Sequence, residues 1–465
     1  MHTVRIVLAA FLSCAAASAA GAGSAAGCKV HESMSAWRFL EGGCKGGLAE
    51  GKGKAAGPDG AVYEGEFKFG LPNGQGRISG GDGSKYSGQW KNGVREGVGN
   101  SVSATGTSYQ GDWKADLRNG RGTMKTSYGL SYTGDWKADL RDGHGTETLP
   151  NGSRYEGEWK QGKRQGQGSE TLKDGSSYSG QWENGKRSGQ GVEKLPDGGN
   201  FEGIWKDGRR IGWGTTKFAD GSRYEGSYQN GLPNGKGTLI LPDGGKYIGS
   251  FKAGKRDGRG TETLADGTIY TGGWKNGQRN GRGKEVRKGK FGYEGGWKNG
   301  QRDGQGSLKV TDGTSYTGQW KAGKAHGRGT LENSKMKYSG GWKAGKFDGR
   351  GTLIDKKNGA KYSGQFKNGQ KEGQGIETRR DGYRYEGGFS RGKRHGRGSC
   401  RFPKGAKYKG EWKYGLAHGQ GEMILPHGKR YKGEFRGGKY QRKGAGEPES
   451  PDVDWQALDG PGEAP

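Results

Sequence analysis

Lysine returns along this chain at a fixed interval, and a row of primary amines is the first chemistry that the sequence offers. Lys68, Lys91, Lys114, Lys137 and Lys160 follow one another at 23 residues. The same place in the pattern is taken by Lys206, Lys252, Lys275, Lys298, Lys321, Lys343, Lys367 and Lys413, and last by Arg436. Four residues after that place, arginine recurs at Arg95, Arg118, Arg141, Arg164, Arg187, Arg210, Arg256, Arg279, Arg302 and Arg394. Cations set out this way do not break bonds. They bind anions, and a formal charge of +29 widens the field to lipid headgroups, acidic envelope polymers and nucleic acid. The expectation is one continuous basic stripe.

Catalytic patterns fare worse. Gly388-Phe389-Ser390-Arg391-Gly392 fits G-x-S-x-G, but a chain with 104 glycines produces such a match by chance, and Ser390 stands in a lysine place. His326, His395 and His418 occupy one position of the pattern. In adjacent units they fall about 10 Å apart by strand spacing, whereas the ligands of one metal ion lie about 2 Å from it. The sequence holds neither a G-x-x-x-x-G-K-[ST] phosphate loop nor an H-E-x-x-H pair. Its Gly-x-Gly pairs precede no helix, as a dinucleotide site requires. No catalytic residue, metal site or cofactor is expected.

The elements that must carry these cations are repeats. Tyrosine stands at 63, 86, 109, 132, 155 and 178, Phe201 takes the next slot, and the series runs on from Tyr224 to Tyr431, seventeen units in all. One interval of 22, between Tyr316 and Tyr338, is followed by one of 24, so the frame recovers. The short interval should fall in a turn, because a one-residue slip inside a strand inverts its faces. With the tyrosine as position one, position three is glycine, position five aromatic, position eight glycine except at Asp116 and Asp139, and positions twelve and fourteen form a Gly-x-Gly pair. Alternation places positions one, three and five on one face of a strand and two, four and six on the other. Asn-Gly or a similar pair at positions seven and eight, and Asp-Gly at twenty and twenty-one, mark tight turns with positive φ. Each repeat is therefore one hairpin, and the rings of neighbours make the core.

Tyr155-Glu156-Gly157-Glu158-Trp159-Lys160-Gln161-Gly162-Lys163-Arg164-Gln165-Gly166-Gln167-Gly168 resembles the repeat of the MORN family. The resemblance implies an all-β fold, an elongated single-layer antiparallel β-hairpin repeat array over residues 63–440. At two strands per repeat it would extend about 160 Å. It also implies a non-enzymatic scaffold that makes protein–protein or self-assembly contacts, homodimers included. The alternative is adhesion to an anionic membrane or envelope polymer through the Lys/Arg stripe. Nucleic acid is a poor candidate, since the rings are committed to the core.

The ends differ from the array. Residues 1–27 carry Arg5, an apolar run and Ala17-Ser18-Ala19, the pattern of a cleaved export signal. Periplasmic, envelope-associated or secreted placement is the expectation. Residues 28–62 read as a cap with a degenerate repeat starting at Leu40, its glycines in phase at 42, 47, 51 and 53. Two readings of Cys28 stand: a disulfide to Cys44, which suits an oxidising compartment, or lipid attachment after Ala25-Ala26-Gly27. Residues 441–465 read as a disordered tail, rich in Pro, Gly, Asp and Glu.

Overall fold

The computed structural model describes residues 27–441. The leader reading falls outside that span, as does nearly all of the tail reading. The chain divides into two units, Met1–Leu232 and Pro233–Pro465. Both are built from the same hairpin, and the two short 3-10 turns, Glu32–Met34 and Pro58–Gly60, belong to the first.

The hairpin of Tyr155 shows why this sequence folds as it does. Strand Arg154–Lys160 turns at Gln161-Gly162 into strand Lys163–Thr171. The turn has φ of 48° at Gln161 and 80° at Gly162. Two successive positive values twist a two-residue turn in the sense that the strands require. Ala115 and Asp116 adopt the same pair, at 47° and 66°. A longer turn at the other end, closed by the Leu172 N–H donating to the Ser176 carbonyl at 2.8 Å, leads to the next hairpin. In the repeat with the short interval the turn shrinks to Asn333–Met336, and the extra residue that restores the frame enters the turn between Asp355 and Ala360.

Within a hairpin, Gly157 pairs with Gly168 and Trp159 with Arg164. Three residues on one strand therefore face Glu158 alone, which makes a bulge. Gly166, with φ of 65°, sits in that bulge, and the Glu158 carboxylate accepts the Gln167 N–H at 2.8 Å. Between hairpins the pairing is even, with Glu170 opposite Tyr178 and Gly168 opposite Gly180. A second set of bonds ties turn to turn. The Gly162 N–H donates to the Arg141 carbonyl at 2.8 Å, and the Gln161 N–H to Asp142 at 3.1 Å.

The core is a zigzag of rings. Tyr155 meets Trp159 of its own strand edge-on at 5.2 Å and Trp182 of the next repeat at 5.1 Å. The Tyr155 hydroxyl donates to the Glu158 carbonyl at 3.0 Å, and the Trp182 indole N–H to the Gly168 carbonyl at 3.1 Å. Edge-to-face pairs contribute about 0.5–1.5 kcal/mol each beyond their buried area. A β-carbon at Gly157 would meet the Gly168 Cα and the Gln167 carbonyl at 2.5 Å, so the glycine pair is what admits the close approach under the tyrosine.

The first unit opens with Arg38–Lys45 and Leu48–Ala56. Here the structure departs from the expected frame. Leu40 is 36% exposed, and Phe39 supplies the ring, 5.5 Å from Phe67. The cause is a register shift between Phe39 and Glu41, which moves the ladder position back by one residue. Cys28 and Cys44 are joined by a disulfide with Cα atoms 5.8 Å apart, which occupies the sulfur that a lipid anchor would need. It pins Lys29 beside Leu48 in a parallel bridge. His31 then donates from its backbone to the Gly70 carbonyl at 2.9 Å, so the cap joins the turn-to-turn bonds. The second unit begins within the strand Leu232–Ile240, at Pro233, and runs to the two-residue strand Lys439–Tyr440, where the Tyr440 ring closes on Phe435 at 5.4 Å.

Candidate functional site

The structure sorts the expected basic stripe into two sets on opposite faces. Lys68, Lys91, Lys114, Lys137, Lys160, Lys206, Lys252, Lys275, Lys298, Lys321, Lys343, Lys367 and Lys413 are all exposed, as is Arg436. They lie on the face away from the rings, as alternation requires.

The arginines do not join them, and this corrects the single stripe. A two-residue turn pairs position six with nine and position five with ten, so Arg164 stands opposite Trp159 on the ring side. Its guanidinium lies 4.4 Å over the Tyr155 ring and 5.1 Å from that of Trp182. Its neighbours behave alike: Arg141 is 4.0 Å over Trp159, Arg187 4.7 Å over Tyr178 and Arg279 4.7 Å over Tyr270. Cation–π contacts contribute about 0.5–2 kcal/mol, more as water is excluded.

Glutamates at position sixteen link these arginines. In the first unit the chain of ion pairs runs Arg141, Glu147, Arg164, Glu170, Arg187, Glu193, Arg210, with Arg164 at 2.6 Å from Glu170 and Glu170 at 3.0 Å from Arg187. In the second it runs Arg256, Glu262, Arg279, Glu285, Arg302. The side chains in the middle of these chains keep only 9–17% of their surface exposed. Arg95 and Arg118 instead pair with Asp116 and Asp139 at 3.0 Å, which accounts for the two aspartates that replace a turn glycine. Sequence reasoning missed the glutamates. The signal was present: in five repeats Glu147, Glu170, Glu193, Glu262 and Glu285 stand six residues after an arginine.

One stretch of the second unit buries its charges further. Lys371 lies 3.5 Å from Glu377, and Arg394 donates to the Tyr383 hydroxyl at 3.0 Å. Desolvation holds the Lys371 amine below its ordinary range, although Glu377 opposes the shift. Burial pushes the Cys400 thiol up to about 12, so this cysteine is a packing group and not a nucleophile. His395 rests with its ring 6.2 Å from that of Tyr414. Among the described residues no group of three or more His, Cys, Asp or Glu side chains lies close enough to hold a metal ion. Ser390 ends strand Arg384–Ser390 at a hairpin turn, not at a strand-to-helix elbow.

The family model described as MORN repeat matches seventeen segments, from residues 41–62 and 63–85 to 385–407 and 408–430. The chain belongs to the MORN repeat family. The match takes in the degenerate first repeat of this MORN array and stops short of the unit at Tyr431. No curated protein matches this MORN array. Among solved structures it is similar to the TCP domain of SAS-4 (dCPAP) of Drosophila melanogaster, in complex with a proline-rich motif of Ana2. That likeness is 16% identical, covers 41% of this chain and 99% of the other, and has a TM-score of 0.23. It is also similar to a catalytically inactive virginiamycin B lyase from Staphylococcus aureus. There the identity is 11%, the coverage 59% and 96%, and the TM-score 0.12. At such TM-scores neither likeness bears on function.

Proposed function

We propose that this MORN array is a non-enzymatic scaffold that holds an extended anionic partner along its row of exposed lysines. One observation carries the reading: the lysines repeat on one backbone and face water, while the rings and the position-ten arginines are consumed by packing. A cation recurs about every 10 Å by strand spacing, close to the Debye length of about 8 Å in physiological salt. Many weak contacts then add along one partner. Sedimentation with anionic vesicles or an acidic polymer across a salt series tests it. Binding at low salt that weakens as salt rises is expected. No binding at low salt, or binding indifferent to salt, contradicts it.

A second reading is a protein contact, a second copy of the chain included. It is favoured by an apolar island on the outer face of the first unit. Ile204 stands opposite Ile211, and Trp213 is 52% exposed beside them. Tryptophan is over-represented among the residues that dominate protein interfaces. Crosslinking of wild-type and Trp213→Ala chains tests this: loss of a specific adduct supports it, and identical patterns oppose it.

Export is proposed with either reading. The leader pattern supports it, and so does a Cys28–Cys44 disulfide, a bond that persists in oxidising compartments. A cytosolic, reduced protein on cell fractionation would count against it.

A further inference from the structure

The outer face is not uniform, and the difference lies at position thirteen. In the first unit this place holds Gln75, Val98, Arg121, His144, Gln167, Gln190 and Trp213. Its one arginine, Arg121, is 3.6 Å from Asp135. In the second unit the same place holds Lys236, Arg259, Arg282, Arg328, Arg350 and Arg397, interrupted by glutamines. All six are exposed, and none forms an ion pair among the described residues.

Position four of the next repeat also differs, for three of these arginines. These two positions pair across strands, as Gln167 with Gln181 and Arg259 with Gly273. In the first unit position four includes Glu66, Asp112, Asp135 and Glu158, whose carboxylates sit over the bulge. Opposite Arg259, Arg282 and Arg328 it is glycine. At these three places the residue directly opposite the arginine therefore carries no carboxylate. Each of these arginines is also diagonal to a position-six lysine, as Arg259 is to Lys275, a separation of about 7–8 Å on an antiparallel sheet. Of the acidic groups left on this face, Asp257 is engaged by the Asn276 turn N–H at 3.1 Å, and Glu411 stands opposite Arg397 near the end of the row.

We propose that the outer face of the second unit, between Lys236 and Lys413, is a track for a linear acidic polysaccharide. The inference rests on the anionic-partner reading above and names the place and the ligand class. Three arguments select them. A guanidinium offers a planar fork to a carboxylate or sulfate, which an ammonium does not. Except at Gln305 and Gln374, cation pairs recur about every 10 Å along the track, close to the interval between acidic groups in a polymer with one charge per disaccharide. Phosphates of a nucleic acid strand lie much closer, at a rise of about 3.4 Å. Strands of a sheet also rotate by roughly 20–25° from one to the next, so a row crossing many strands leaves any one plane. A polymer follows such a row and a bilayer does not.

The test uses the full mature chain and fluorescent hyaluronan oligomers of increasing length as the probe. One variant carries Arg259→Gln, Arg282→Gln, Arg328→Gln and Arg350→Gln. A control removes four first-unit lysines: Lys68→Gln, Lys114→Gln, Lys137→Gln and Lys160→Gln. Circular dichroism verifies that both fold. The track assignment expects the arginine variant to lose about tenfold or more in affinity and the control less than about twofold, with wild-type affinity rising with oligomer length. Equal losses would overturn the track while leaving the general lysine reading in place. Wild-type protein that binds no polyanion at low salt would overturn both. Tighter binding to single-stranded DNA or to anionic vesicles than to hyaluronan would overturn the polysaccharide assignment.

Discussion

Glu285 accepts from Arg302 of the following repeat at 2.9 Å and from Arg279 of its own at 2.5 Å, so one carboxylate ties two hairpins across the ring ladder. With 11% of its side chain exposed, it is held between a surface and a core pair. Beyond Arg302 the same places turn apolar: Leu308, Ala325 and Leu331 continue where Glu and Arg would stand.

That boundary makes the ion pairs testable. Breaking a buried pair by removing one partner costs about 3–5 kcal/mol, and a surface pair about 1 or less. Glu285→Leu leaves Arg302 without its carboxylate and is expected to cost about 2 kcal/mol, between those limits. Adding Arg302→Ala extends the apolar block by one repeat and is expected to recover most of that loss. Local hydrogen exchange in strands Gln278–Arg287 and Gln301–Val310 measures both. A double variant worse than the single one would contradict the pairing.

The glycine pair under each tyrosine has a steeper requirement. At Gly157 an added β-carbon meets backbone atoms at 2.5 Å, whereas at Gly175 it meets open space but must hold a φ of 85°. Gly157→Ala is expected to cost about 2–3 kcal/mol, as an overpacked core does. Gly175→Ala is expected to cost about 1–2 kcal/mol from backbone strain alone. Exchange within the Tyr155 hairpin ranks them, because a long array does not unfold as one unit.

Alkaline pH should dismantle the ladder. Burial pushes the phenols of Tyr86, Tyr178, Tyr247, Tyr270, Tyr293 and Tyr316 up to about 12. In the unfolded chain they titrate near 10. The folded state keeps the proton that the unfolded state gives up, so stability is full below about pH 10 and falls as pH rises towards 12. Most of the tyrosinate absorbance is expected to appear together with loss of near-ultraviolet dichroism in that window. Ionisation of most of the 21 tyrosines near pH 10 with the dichroism intact would contradict a buried ladder.

Reduction of Cys28–Cys44 probes the cap. A loop of 16 residues closed by a disulfide contributes about 3 kcal/mol. Reduced protein is expected to exchange faster over residues 29–56, with the second unit unchanged. Unchanged protection of Leu48–Ala56 would mean that the bond does not hold the cap.

Much of this was legible in the sequence because the physics repeats. The Tyr-x-Gly-x-Trp alternation fixed the ring face, and the dipeptides at positions seven and eight fixed the turn, down to Asp116 taking a φ of 66°. What escaped was the far strand. Position ten looked like a companion of the lysines because both are basic, yet counting across the two-residue turn sets it opposite the tryptophan. The position-thirteen arginines escaped for another reason: the bulge separates them from the turn, and only pairing with the next repeat shows that Arg259 faces a glycine. At the cap, the register shift at Phe39 has no periodic signal to announce it.

The division of arginines between two faces is the centre of this account, and labelling the folded chain with an arginine-selective dicarbonyl reagent, read by mass spectrometry, tests it most directly. Arg259, Arg282 and Arg328 are exposed, whereas Arg164, Arg187 and Arg279 keep 14–17% of their side-chain surface. The first three are expected to react at least about tenfold faster than the second three, as solvent-exposed groups free of charge-assisted hydrogen bonds should. Equal rates across the six would contradict the two-faced array.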